Sequence, residues 1–532
     1  MEQGSRSPAA SLGLLDATMV GIGAMIGAGI FVLTGLAAET AGAAALLVFL
    51  LNGGVTTFTA LSYAELASAI PKNGGGYAYV YEAFPDPVSF VMGWTRWFTY
   101  MAAGALYALG FSSNFVEFVH LYWEGLPAGT LATLPLAGTV GWELVYALFA
   151  VVSFVGLNAL STEASGGAET VVTLIKIAIL AVFIAFGIGA VSLGEFDPFF
   201  PTGPAADVGL VGLFPGTLGG GAVSVLPAMG LTFIAFQGYD LIATVTEEVE
   251  NPRKNIPRAI FLSLGVTVVI YLLVVGIAIG TLGPQRLGEA GETAVAEAAI
   301  QFILPGVRLL GAPVGGALIA FGAVFSTVSA LNAVVIGSSR IAFSMGREGQ
   351  LPGRLGEIHH RYGTPYAAIL ASAAVMLLAT ALAPISIVGN LASLFSLLGF
   401  TIVNLSVIKL RRDRPGLSRP FEVPLYPAVP ILGIVLNLTL SVFISPQTWL
   451  IAVGWLLFGA VVYAAFNPDR VRAVVGDRSA TTTEGAADSP TPRSSTEPTP
   501  TEALDTATDS TADTTGEATP ADSTADTAEE DE

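Results

Sequence analysis

The chain has 532 residues, of which 53% are hydrophobic and only 12% charged, about half the charged share of a soluble domain. That excludes a water-soluble globular protein, and the absence of cysteine excludes disulfides, zinc-thiolate sites and cysteine nucleophiles together. The net charge of −19 belongs mostly to the end of the chain, where residues 479–532 hold 14 of the 41 acids and one of the 22 bases, Arg493.

Residues 1–11 are polar and lack the basic, apolar and small-residue pattern of a cleaved signal, so a short cytoplasmic N-terminus is expected. Beyond them, apolar stretches long enough to cross a bilayer recur. Punctuation by Gly, Pro and charge gives twelve, at about 14–38, 42–69, 88–119, 141–160, 168–192, 222–247, 258–282, 311–341, 366–383, 386–409, 428–444 and 448–466.

The first span contains VGIGAMIGAGIFVLTG, with five glycines between Val20 and Gly35. Gly23 and Gly27 form a small-xxx-small pair of the kind that lets membrane helices approach closely. On this reading Gly21 and Gly23 serve packing and tolerate alanine. Gly27-Ala28-Gly29 reads differently, as an interruption. Backbone groups freed in hydrocarbon persist only where protein or a polar cavity satisfies them. A break near the midplane therefore needs a ligand or ion, with carbonyls offered by the upstream half and N–H groups and a positive dipole end by the downstream half.

In the third span, Arg96 of GWTRWFTYM falls near the inner end and reads as an interfacial anchor beside Trp94 and Trp97. Lys176, in the fifth span ETVVTLIKIAILAVFI, lies at membrane depth. A charge there costs about 2.5–3.5 kcal/mol on insertion scales and points inward to a functional cavity unless it snorkels to the interface. The sixth span has a second irregular centre, Ala235-Phe-Gln-Gly-Tyr-Asp240, which places Gln237, Gly238 and Asp240 at membrane depth. Asp240 is positioned to cap the helix half that follows. Matching interruptions at the first span of each half mark transporters built from two inverted repeats.

The bases orient the set. Seventeen fall on the N-terminal side or its helix ends and two, Arg286 and Arg308, on the other, which puts both termini and the tail in the cytoplasm. LRRDRPGLSRP reads as a cytoplasmic loop against anionic lipid, with no nucleic-acid surface. Residues 467–532 form a cytoplasmic acidic tail, expected to be disordered from about 479. Only Lys72, Lys176, Lys254 and Lys409 are lysine, and that arginine bias beside an acidic tail points to a salt-rich, halophilic cytoplasm. His120, His359 and His360 make no metal-ligand spacing, and GxxxxGK[ST] is absent. With no nucleophile-base pair either, an enzyme, a cofactor and an ATP motor are all disfavoured, and ion gradients remain.

VGIGAMIGAGIF, PKNGGGYAYVYEAF, AFQGYDLIATVTEEVENPRKNIPRAI and SSRIAFSMGREGQLP together resemble the amino acid-polyamine-organocation superfamily of secondary transporters, close to its amino acid permeases, over about residues 12–466. The resemblance implies an all-α membrane protein of twelve transmembrane helices. In it a five-plus-five inverted repeat with broken spans 1 and 6 forms a transport core at 12–410, and two extra helices lie within 411–466. It implies a zwitterionic amino acid held between the breaks marked by Gly27 and Gly238. The N–H groups of Ala28 and Gly29 would take its carboxylate, and the carbonyls of Met25, Ile234, Ala235 and Gln237 its ammonium. Lys176 matches a lysine that stands in proton-coupled members where sodium sits in others, next to span one and a span-eight hydroxyl. Ser329 is the best match for that hydroxyl, with Ser326 and Thr327 one turn away and Asp240 as a further coupling group.

Two positions depart from the pattern. Ile234, flanked by Phe233 and Phe236, stands where an aromatic gate is common. Thr99 stands where the cationic branch carries a carboxylate, so arginine and lysine are disfavoured as substrates, with Asp240 able to reverse that. The implied function is symport of amino acids with protons, rather than sodium, across the cytoplasmic membrane by alternating access. The alternatives are an amino acid or polyamine exchanger and a nutrient sensor that does not transport.

Overall fold

Long uninterrupted apolar runs bury their backbone polar groups only by satisfying them within the segment, and the chain accordingly folds as helices. The computed structural model describes residues 12–468 apart from 73, 135–137, 161–165, 203–208 and 214–220. The described helices belong to one unit, Met1–Val471. The second unit, Arg472–Glu532, which contains the tail expected to be disordered, lies outside the described residues, as do residues 1–11.

In chain order the helices are α1 (Leu14–Met25), α2 (Ala28–Ala41), α3 (Ala45–Ala69), α4 (Gly75–Ala83), α5 (Asp86–His120), α6 (Trp142–Leu160) and α7 (Gly166–Gly187). Then follow α8 (Val225–Thr232), α9 (Tyr239–Ile242), α10 (Pro252–Leu282), α11 (Pro284–Ala290), α12 (Ala294–Phe302), α13 (Val314–Arg347), α14 (Tyr366–Leu382), α15 (Ile385–Asp413), α16 (Ala428–Val442) and α17 (Pro446–Phe466). Eight helical stretches among the described residues are long and apolar enough to cross a membrane, and α14 and α16 are shorter apolar helices. Two small antiparallel hairpins, β1 (Thr130–Leu134) with β2 (Gly138–Gly141) and β3 (Arg308–Leu309) with β4 (Ala312–Pro313), decorate the connections.

Two helices are interrupted, and the rest of the bundle is arranged around them. The first apolar stretch stops at Met25 and resumes at Ala28, because Ile26 (ψ 63°) and Gly27 (φ −101°, ψ −125°) leave helical geometry. The second passes from α8 through a 3₁₀ turn, Phe233–Phe236, to Gln237 and Gly238 before α9 begins. Gly238 has φ 150°, a conformation open to glycine alone at low cost. A Cβ there would also come within 2.7 Å of the Met25 nitrogen. The two breaks therefore touch through backbone.

Every freed group needs a partner, and neighbouring helices supply them. Asn52 of α3 donates to the Met229 carbonyl (3.0 Å) and the Thr232 hydroxyl (3.1 Å). Ser393 of α15 accepts from the Ile234 N–H (3.1 Å) and donates to the Leu231 carbonyl (3.1 Å). Ser326 of α13 donates to the carbonyls of Ile26 (2.5 Å) and Gly27 (3.2 Å). At the end of the bundle where α1 starts, Leu12 pairs in parallel with Val249: its N–H donates to the Glu248 carbonyl and its carbonyl accepts from Glu250, both at 2.9 Å. The start of one interrupted helix is thus fastened to the exit of the other.

Candidate functional site

Small residues at the breaks let three polar clusters form against bare backbone. The first lies behind α1. Lys176 is fully buried, and its ammonium donates to the Gly23 carbonyl (2.9 Å) and the Ser329 hydroxyl (3.2 Å). Thr173, one turn before it on α7, donates to the Met19 carbonyl at 3.2 Å. A Cβ on Gly23 would collide with the Thr173 hydroxyl and lie 2.7 Å from the Glu169 carboxylate. Alanine is therefore not tolerated there without displacement, contrary to the expectation from the sequence. Gly21 is equally filled, 2.6 Å from Ile242.

The second cluster joins the two breaks. Tyr271 of α10 directs its hydroxyl to the carbonyls of Met25 (2.5 Å) and Ala235 (3.0 Å). Two of the carbonyls expected to hold an ammonium thus share one phenolic donor. The Ile234 carbonyl accepts from the Gln237 N–H at 3.0 Å. Gly29 packs against Ala235, whose Cβ would stand 2.9 Å from any Cβ at position 29, and a Cβ on Gly27 would stand 2.8 Å from the Ala330 Cβ. Ala28 is buried and opens α2, so the first N–H groups of that helix lack intrahelical partners by geometry.

The third cluster was missed from the sequence. Arg96 is only 3% exposed and forms an ion pair with Asp240, itself 2% exposed. It also donates to the Tyr100 hydroxyl (3.0 Å). With its amide oxygen turned to the guanidinium, Gln237 accepts from Arg96 Nη1 (2.9 Å) and Nη2 (3.1 Å), while its amide nitrogen donates to Ser396 (3.2 Å). That orientation gives every atom a partner. The other Asp240 oxygen accepts from the Gly238 N–H (3.0 Å), so Asp240, in the first turn of α9, bonds back to the residue that precedes the helix. The reading of Arg96 as an interfacial anchor is corrected: α5 runs for 35 residues, which carries Arg96 well inside the bundle.

Two further residues expected at the site turn their hydroxyls to their own helices. The Thr99 hydroxyl bonds the Thr95 carbonyl of its own helix (2.9 Å). Thr327 bonds Ala323 (2.8 Å) and Val324 (3.0 Å) within α13, while Ser329 and Ser326 face Lys176 and the first break.

A cavity lies where α1, α5, α9 and α13 meet. Its walls are Ala24, Tyr100, Ala103, Tyr107, Gln237, Gly238, Leu241, Ala330, Ala333 and Val334. The space open to the centre of a water-sized sphere is about 10 Å³, room for one water. An amino acid enters only if these helices part.

Interrupted membrane-length helices around a small buried site define a multi-pass membrane protein. The chain belongs to the amino acid permease family, whose profile matches residues 12–467. It is 30% identical to a branched-chain amino acid permease of Bacillus subtilis over 87% of this chain and 94% of the relative. It is 29% identical to the methylthioribose transporter of the same organism, over 87% and 94%, and 31% identical to the Asc-type amino acid transporter 1 of Mus musculus, over 81% and 76%.

Proposed function

We propose that the chain is a secondary active transporter that carries neutral amino acids with apolar side chains across the cytoplasmic membrane by alternating access, in symport with protons. The observation that carries this reading is the meeting of two interrupted helices at a small cavity walled by Ala24, Ala103, Leu241, Ala330, Ala333 and Val334 beside Tyr100, Tyr107, Gln237 and Gly238. The N–H groups of Ala28 and Gly29 at the start of α2 suit a carboxylate. The carbonyls of Met25, Ile234, Ala235 and Gln237 suit an ammonium that replaces the Tyr271 hydroxyl. The apolar wall suits an aliphatic side chain, and a relative of similar length is named for branched-chain amino acids.

On this reading twelve spans form a five-plus-five inverted repeat over 12–410 with two extra helices, and both termini lie in the cytoplasm, which the distribution of seventeen basic residues supports. Lys176 is the coupling group. Its ammonium ties α7 to α1 and α13, and loss of its proton releases that tie.

Thermal unfolding of the purified protein against the twenty amino acids, several polyamines and methylthioribose tests the substrate class. Leucine, isoleucine and valine are expected to raise the midpoint. Stabilisation by polyamines or by methylthioribose alone contradicts the reading.

A further inference from the structure

The buried pair Arg96–Asp240 takes no direct part in the binding scheme above, yet it controls the cavity wall. Tyr100 and Gln237 line the cavity, and both are held by the Arg96 guanidinium. Gly238 also lines it, and its N–H is held by Asp240. The guanidinium lies over the rings of Tyr100 (4.9 Å) and Phe400 (5.6 Å), which fix its plane. The two charges stand one layer behind the wall and cancel.

In a low-dielectric interior an uncompensated charge is costly and recruits any counter-charge that can reach it. With both members present, the wall shows a substrate no net charge. With one removed, the survivor faces the cavity across a single layer of side chains. We propose that Arg96 is the specificity-determining counter-ion of the substrate site. By neutralising Asp240 and holding Tyr100 and Gln237, it admits neutral side chains and excludes cationic ones. This rests on the transport reading above and goes beyond it by naming what sets the charge selectivity. Arg96 acts through its neighbours and is a positioning residue.

Competition against labelled leucine in proteoliposomes tests it, with lysine and glutamate as the competing probes. For wild type, neither competes. Arg96→Met leaves Asp240 unpaired, and lysine is expected to compete at concentrations at least tenfold lower than in wild type. Asp240→Asn leaves Arg96 unpaired and is expected to admit glutamate instead. Arg96→Lys keeps the charge and should still refuse lysine, while weakening leucine binding because an ammonium cannot hold three partners in a plane. The double variant Arg96→Met/Asp240→Asn should take leucine and ignore both competitors.

An Arg96→Met protein that binds leucine and ignores lysine overturns the proposal, as does lysine sensitivity in Arg96→Lys or in the double variant. Should either single variant fail to fold, the mirror variant and the double variant carry the same decision. A wild type that binds no amino acid overturns the transport reading instead. Leucine selectivity in wild type, beside an unchanged Arg96→Met, overturns only the role of Arg96.

Discussion

At Gly23 a missing side chain lets three polar groups of α7 pack against the backbone of α1. Lys176 bonds the Gly23 carbonyl, and Thr173 and Glu169 fill the space where a Cβ would project. Gly23→Ala is expected to push α7 off α1 and cost about 1–3 kcal/mol, read as a fall in the denaturation midpoint. Gly54→Ala is the control. Nothing lies within 4 Å of a Cβ at Gly54, so the substitution should be neutral or stabilising by up to about 1 kcal/mol from helix propensity. Equal losses at both sites contradict the packing described.

Residues differ in how readable they are. Lys176 announces itself, since a lone lysine in an apolar run demands an inward partner. Arg96 does not, because it sits among tryptophans that resemble a membrane-interface belt and its partner Asp240 is far away in the chain. One signal was available: Arg96 and Asp240 are opposite charges in separate apolar spans, and each is cheaper to bury beside the other. Thr99 and Thr327 show a different limit. A membrane-helix threonine bonds the carbonyl one turn back whenever nothing better is near, and spacing alone does not tell which hydroxyls do so.

At the scale of elements, the interruptions were legible because an irregular centre containing glycine recurs at the matching place in two spans, whereas the groups that tie them were not. Tyr271 is an unremarked aromatic residue of α10 in the sequence, yet its hydroxyl serves both Met25 and Ala235. Tyr271→Phe takes one donor from each of two buried carbonyls, of which Met25 keeps the Gly27 N–H (2.7 Å), and is expected to cost about 1 kcal/mol, with a matching fall in the thermal midpoint. An unchanged midpoint means the breaks hold without it.

Outside the spans, Glu82 of α4 accepts from Lys72 (2.7 Å) and Arg414 (2.9 Å), which joins α4 to the end of α15. Those two hydrogen bonds hold its carboxyl below the usual carboxylate range. Its stabilising contribution is therefore present above the unfolded value near 4.5 and is lost as pH falls through the lower folded value. Glu82→Gln should flatten that acid-side loss in unfolding measured as a function of pH, and an identical acid limb in both proteins removes the bridge from the stability of this face.

For the molecule as a whole, the long helices overlap the apolar runs, with limits that differ by up to six residues at the start of α10 and the end of α13, because in a bilayer the length and composition of a run leave little choice of structure. The short helices α4, α11 and α12 lie outside those runs. What composition does not carry is which helices meet. The cavity lies between α1, α5, α9 and α13, and only folding brings them together. The cavity has room for about one water, and under the alternating access proposed above α5 and α13 would part from the interrupted helices on one side at a time. The backbone bridge from Leu12 to Val249 ties the start of α1 to the exit from α9.

Transport itself is tested most directly by leucine uptake into proteoliposomes under an imposed proton gradient. Wild type is expected to accumulate leucine above the external concentration and to lose that accumulation when a protonophore is added, while Lys176→Ala binds leucine without concentrating it. Full accumulation by Lys176→Ala, or uptake in wild type that is indifferent to the protonophore, contradicts proton-coupled transport through this site.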